Sequence, residues 1–194
     1  MKAFSRTRTL ACAGLVGATA LLGACAPAGG GGGPAPTTTA PAGNVNTTTA
    51  VTYSCQGVGA AASIGIIANQ TVNVVVNHPS TKAAGAAYSV TVTVPTLTLG
   101  AAPSFLDLNA VGIAPVIGMS ATTGTINNAG PTTIVFTGNG LTGTIAPAVS
   151  NGVAGAAGTI VGTAGTINIL SGGTGFVCTP VPSTSGATFS ITVA

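Results

Sequence analysis

After residue 50 the chain alternates apolar and polar positions with a period of two. In "TVNVVVNH", Val72, Val74 and Val76 fall on one side, with Thr71, Asn73 and Asn77 on the other. "AYSVTVTVP" sets Tyr88, Val90, Val92 and Val94 against Ser89, Thr91 and Thr93. "VTYSC" does the same with Val51, Tyr53 and Cys55 against Thr52 and Ser54. Successive side chains of a strand point to opposite faces, so this period predicts strands with one buried and one wet face. "TTIVFTG", "LTGTIAPAV", "GTIVGTAGTINIL", "GFVCT" and "ATFSITVA" are further strand candidates. Many short strands separated by turn signals predict an all-β domain over residues 50–194, an antiparallel Ig-like β-sandwich. One short helix is expected over "PSFLDLNAVG": Ser104 can cap it, Asp107 completes a box-like arrangement, and Gly112 can end it. "GTI" recurs at Gly124, Gly143, Gly158 and Gly165. Its uneven spacing reads as turns followed by β-branched residues, not as a solenoid.

Upstream of residue 50 the alternation is lost. "APAGGGGGPAPTTTAPAGNVNTTTA" has the Gly, Pro and Thr content of a flexible tether, and residues 25–49 are assigned to it. Residues 1–24 read as a secretory leader. Lys2, Arg6 and Arg8 form its positive end, and "TLACAGLVGATALL" is an apolar stretch too short for a comfortable membrane span. Between leader and tether stands "LGAC", Leu22 to Cys25, which resembles the bacterial lipobox. There the cysteine thiol is lipidated and the cysteine becomes the new N-terminus. Ordinary cleavage after "APA", at Ala28, is the alternative, and it would discard Cys25. Stable anchoring needs more than one acyl chain, which lipobox processing supplies. The resulting expectation is an extracytoplasmic protein, lipid-anchored at the cell membrane or cell surface, and secreted if the lipobox is not used.

Charge narrows the partners. Only 3 % of residues are charged, against roughly 25 % in ordinary soluble domains. The net charge of +3 comes from the leader. Without it, Lys82 and Asp107 are the only formal charges, and they cancel. Nucleic acid is therefore excluded as a partner of the mature chain. The membrane is reached through the N-terminal lipid, and the remaining partner is an unknown envelope component or protein. Near-zero net charge also predicts self-association. Low charge does not mean disorder here, because 46 % of the residues are hydrophobic.

Cys12 leaves with the leader, so Cys55 and Cys178 form an even pair in the mature domain. In an exported protein the expectation is a disulfide between them, linking the first strand to the next to last. A metal or redox pair would need ligands that the neighbouring sequence lacks. Catalysis needs titratable groups placed together, and the mature domain holds one His, one Asp and one Lys. A triad could use only His78 and Asp107, and no "GxSxG" selects a serine. His78 precedes Pro79 and reads as a solvated turn residue. The glycines at Gly29 to Gly33 follow no strand and lack a P-loop lysine, so they are linker. Asn127 and Asn128, beside Gly130 and Pro131, read as turn chemistry. No cofactor is expected.

"YSCQ" at the start of the domain, "TVNVVVNHPSTKAAGAAYSVTVTVP" after it and "FVCTP" near the end resemble an uncharacterised family of exported actinobacterial domains. Its members sometimes carry loose labels such as dehydratase or cyclase. The resemblance covers residues 51–193 and implies an extracytoplasmic β-rich domain with a terminal-strand disulfide. It brings no active site. The expected function is a non-enzymatic envelope domain for adhesion, structure or protein contact. The alternative is a carrier whose sandwich opens to hold an apolar or glycolipid ligand, against which the scarcity of aromatic residues speaks. An outer-membrane barrel is a third reading, without the aromatic girdles that such barrels carry.

Overall fold

The structure, a computed structural model, describes residues 43–101, 113–137 and 140–194. The leader, Cys25, Gly29 to Gly33 and the helix expected over 103–112 lie outside the described residues. The described chain is all-β. Its strands are β1 (Asn44–Val58), β2 (Ile66–Pro79), β3 (Thr81–Lys82), β4 (Ala87–Thr93) and β5 (Leu97–Ala101). There follow β6 (Val116–Ala121), β7 (Thr125–Ile126), β8 (Ile134–Thr137) and β9 (Gly140–Ile145). The last four are β10 (Ala148–Val153), β11 (Gly158–Ser171), β12 (Thr174–Pro180) and β13 (Ala187–Val193). A 3-10 turn over Gly59–Ile64 joins β1 to β2.

The alternation does what the sequence predicts. Val51, Tyr53 and Cys55 of β1 point into the core, as do Val74 and Val76 of β2 and Tyr88, Val90 and Val92 of β4. The intervening Thr, Asn and Ser positions face outward. This polarity is opposite to that of a membrane barrel, whose apolar residues face lipid and whose interior is polar. "LTGTIAPAV" is not one strand: it divides into β9 and β10, with Pro147 in the gap, because proline cannot donate to a ladder.

The main sheet runs β3-β13-β11-β12-β1-β2-β4-β10-β7, with β6 paired to β11 off this path. Strand β11 turns the corner between layers. Gly158 to Ala164 pair with β13, and Ile167 to Ser171 pair with β12. Strand β6 spans both halves on the opposite edge. The switch coincides with a register shift between Ala164 and Ile167. Before it the buried residues are Ile160, Gly162 and Ala164; after it they are Ile167 and Ile169. One extra residue in the strand thus moves the inward set from even to odd positions, so both halves keep their apolar face on the core. Strand β13 is thereby carried across the inner face of β1 and β2, where the rings of Phe189 and His78 lie 5.2 Å apart.

A second sheet, β5-β9-β8, extends the core with Leu97, Leu99, Phe136 and Ile145. It is joined to β2 by a side chain acting as a strand. The Gln70 amide donates to the Thr98 carbonyl and accepts from the Thr98 N–H, both at 2.8 Å.

The tether, expected to run to residue 49, meets the domain earlier. Strand β1 begins at Asn44, and residues 44–49 pair with residues 74–79 of β2. The "NVNTTT" segment carries linker composition, but Asn44 and Asn46 form a ladder with Asn77 across the strands, at 2.9 and 2.7 Å.

Candidate functional site

Cys55 and Cys178 are bonded. They sit directly opposite each other on the adjacent antiparallel strands β1 and β12, and both are fully buried. The immunoglobulin bridge spans two sheets, whereas this one reinforces a single strand pair. Beside it Tyr53, also fully buried, donates its hydroxyl proton to the Gly165 carbonyl at 3.2 Å. That carbonyl belongs to the bulge of β11, so the tyrosine fixes the corner. Burial pushes the Tyr53 hydroxyl up to about 12.

His78 is not the solvated turn residue expected from "NHPS". It lies on the inner face of β2, 3 % exposed, against the Phe189 ring. The Pro79 carbonyl can only accept, so Nδ1 donates to it at 3.0 Å. The Thr47 hydroxyl meets Nε2 at 2.9 Å. Both ring nitrogens are therefore engaged, and the ring is closed to a substrate. The correction has a clear cause: the strand runs three residues past its last valine, to Pro79, and Asn44 to Thr47 cover it. Asp107 lies outside the described residues.

Asn127 and Asn128 stitch elements together. The Asn127 N–H donates to the Asn151 carbonyl at 2.9 Å, and the Asn128 side-chain oxygen accepts from the Met119 N–H at 3.1 Å. Ser150, buried on β10, donates to the Asn127 carbonyl. Among the described residues no three His, Cys, Asp or Glu side chains gather as metal ligands would.

Two of the open concavities are lined by described residues. One, about 440 Å³, is lined by Gly118, Met119, Ser120, Thr163, Thr166 and Ser183 among others. The other, about 400 Å³, lies where β3, β4 and β10 meet the start of β1. Asn44, Pro79, Lys82, Tyr88, Ser89 and Asn151 line it. Gly152 makes its floor possible. It pairs directly with Tyr88, and a Cβ there would stand 2.5 Å from the ring and 2.4 Å from the Thr125 carbonyl. The tip of the Tyr88 ring thus packs over the Gly152 backbone, and its hydroxyl donates to that carbonyl at 3.3 Å. Burial raises the Tyr88 pKa. At the rim, the Ser89 hydroxyl donates to the Asn151 side-chain oxygen at 2.7 Å. Sequence reading placed Ser89 on a wet face but had no signal that would bring Asn44, Lys82 and Asn151 together.

No family model matches the chain, and no curated protein matches it. A solved structure described as "putative membrane anchored protein", from Corynebacterium diphtheriae, is similar at a TM-score of 0.40 and 15 % identity. The similarity covers 77 % of this chain and 38 % of that one, so the chain spans well under half of its length.

Proposed function

We propose that this chain is an exported domain of the cell envelope, anchored through lipid on Cys25, that acts by contact and not by catalysis. The observation that carries the non-catalytic part is the placement of His78, whose two ring nitrogens are engaged beneath Phe189. General acid–base chemistry needs a group within reach of substrate, and this ring is spent on holding β1 to β2. The two concavities are open grooves with small or polar linings, which favours surface contact over a carrier of apolar ligand. Anchoring rests on "LGAC" followed by the tether.

Replacing Cys25 with Ser tests the anchor. The variant is expected to leave the membrane fraction for the medium and to lose label from a radioactive fatty acid. Retention in the membrane with undiminished label contradicts the reading.

A further inference from the structure

We infer that the groove between β3, β4 and β10 binds a monoanionic, polyhydroxylated unit: a sugar bearing one carboxylate, or a polyol joined by a phosphodiester. Lys82 is the only Lys, Arg, Asp or Glu among the described residues. It stands half-buried on the groove wall, and its ammonium forms no ion pair or hydrogen bond among the described residues. Among the described side chains, the one formal positive charge therefore lines a concavity of about 400 Å³. A lone ammonium there matches one negative charge, and no more.

The rest of the lining selects hydroxyl groups. The Asn44 amide nitrogen is used on Asn77, which leaves its oxygen as an acceptor. The Asn151 oxygen is used by Ser89, which leaves the Asn151 amide nitrogen as a donor and the Ser89 oxygen as an acceptor. Donor and acceptor thus flank the cation, as neighbouring sugar hydroxyls require. Tyr88, packed over Gly152 with little of its surface exposed, supports the groove from beneath and offers it no broad apolar face. A purely apolar ligand would leave Lys82, Asn44 and Asn151 unpaired.

This inference deepens the contact reading and rests on it, yet the two fail separately: binding is measured on purified protein, anchoring in cells. The full chain is titrated by nuclear magnetic resonance or calorimetry with three probes. These are a galacturonic acid oligomer, glycerophosphoglycerol, and a neutral galactose oligomer of matched length. At least one anionic probe is expected to bind, about tenfold or more tighter than the neutral one. Whichever binds identifies the source of the anion. Lys82→Gln is expected to weaken it by about tenfold or more, and Asn151→Ala by a smaller factor. Because one charge is involved, affinity should fall by no more than about tenfold between about 50 and 500 mM salt. Equal binding of the neutral probe overturns the inference. So does binding indifferent to both substitutions, or no binding of either anionic probe.

Discussion

The disulfide corner and the groove end use one sequence rule to opposite effect. At the corner, where β1, β12 and the second half of β11 meet, the inward positions are Tyr53, Cys55, Ile167, Ile169, Phe176 and Cys178, all fully buried. At the groove end the inward row of β10 is Ala148, Ser150 and Gly152, among the smallest side chains. Both rows obey the same period of two. Size decides the outcome: bulky residues fill the corner, whereas the small row of β10 lets Tyr88 pack against its backbone, with the groove opening beside it. Stability is thus concentrated at one region and access at the other.

The largest effect should come from the corner. The bond joins residues 123 apart in sequence, and removing it frees a loop whose closure entropy is worth on the order of 5 kcal/mol. Replacing both cysteines by Ala is expected to cost several kcal/mol in urea unfolding, more than any substitution at the groove. Next comes Gly152→Ala, in which the new methyl meets the Thr125 carbonyl and the Tyr88 ring. A cost of about 1–3 kcal/mol is expected, with displacement of Tyr88 visible in its ring resonances.

Tyr53→Phe follows, at about 1 kcal/mol, because the Gly165 carbonyl loses its donor. This variant also has a signature in pH. The hydroxyl titrates at its ordinary 10.0 when unfolded and at about 12 when folded. Between those values the unfolded chain has already released the proton that the folded chain keeps. Stability is therefore full below pH 10 and falls as pH rises toward 12, by up to about 1.4 kcal/mol per unit. Tyr53→Phe should flatten that alkaline limb. Smallest is Lys82→Gln, expected to leave stability within about 0.5 kcal/mol, since the ammonium has no hydrogen-bond or ion-pair partner among the described residues. If Lys82→Gln destabilised the fold as much as Tyr53→Phe, the contrast between the two regions would fail.

The corner was largely legible in the sequence, and the groove was not. Val–Thr alternation marks which face of β1, β2 and β4 is buried, and the cysteines stand in strands that the pattern already identifies. Three things hid the rest. Residues 44–49 have linker composition, and only pairing with β2 makes them strand. Gly152 and Gly162 look like turn residues, yet each is a place where a cross-strand aromatic, Tyr88 or Phe189, lies over the backbone. His78 could be placed only once Thr47 was seen to reach it. Each of these depends on a partner distant in sequence, which local periodicity does not encode.

The central claim is that the chain leaves the cytoplasm and is held at the membrane by Cys25. Intact-mass analysis of the protein isolated from its own cells, under non-reducing conditions, tests it most directly. The account predicts a chain beginning at Cys25, heavier by its acyl groups and lighter by the two hydrogens lost in joining Cys55 to Cys178. A chain beginning after Ala28 without lipid would contradict the anchor, and an unprocessed chain from Met1 with free thiols would contradict export itself.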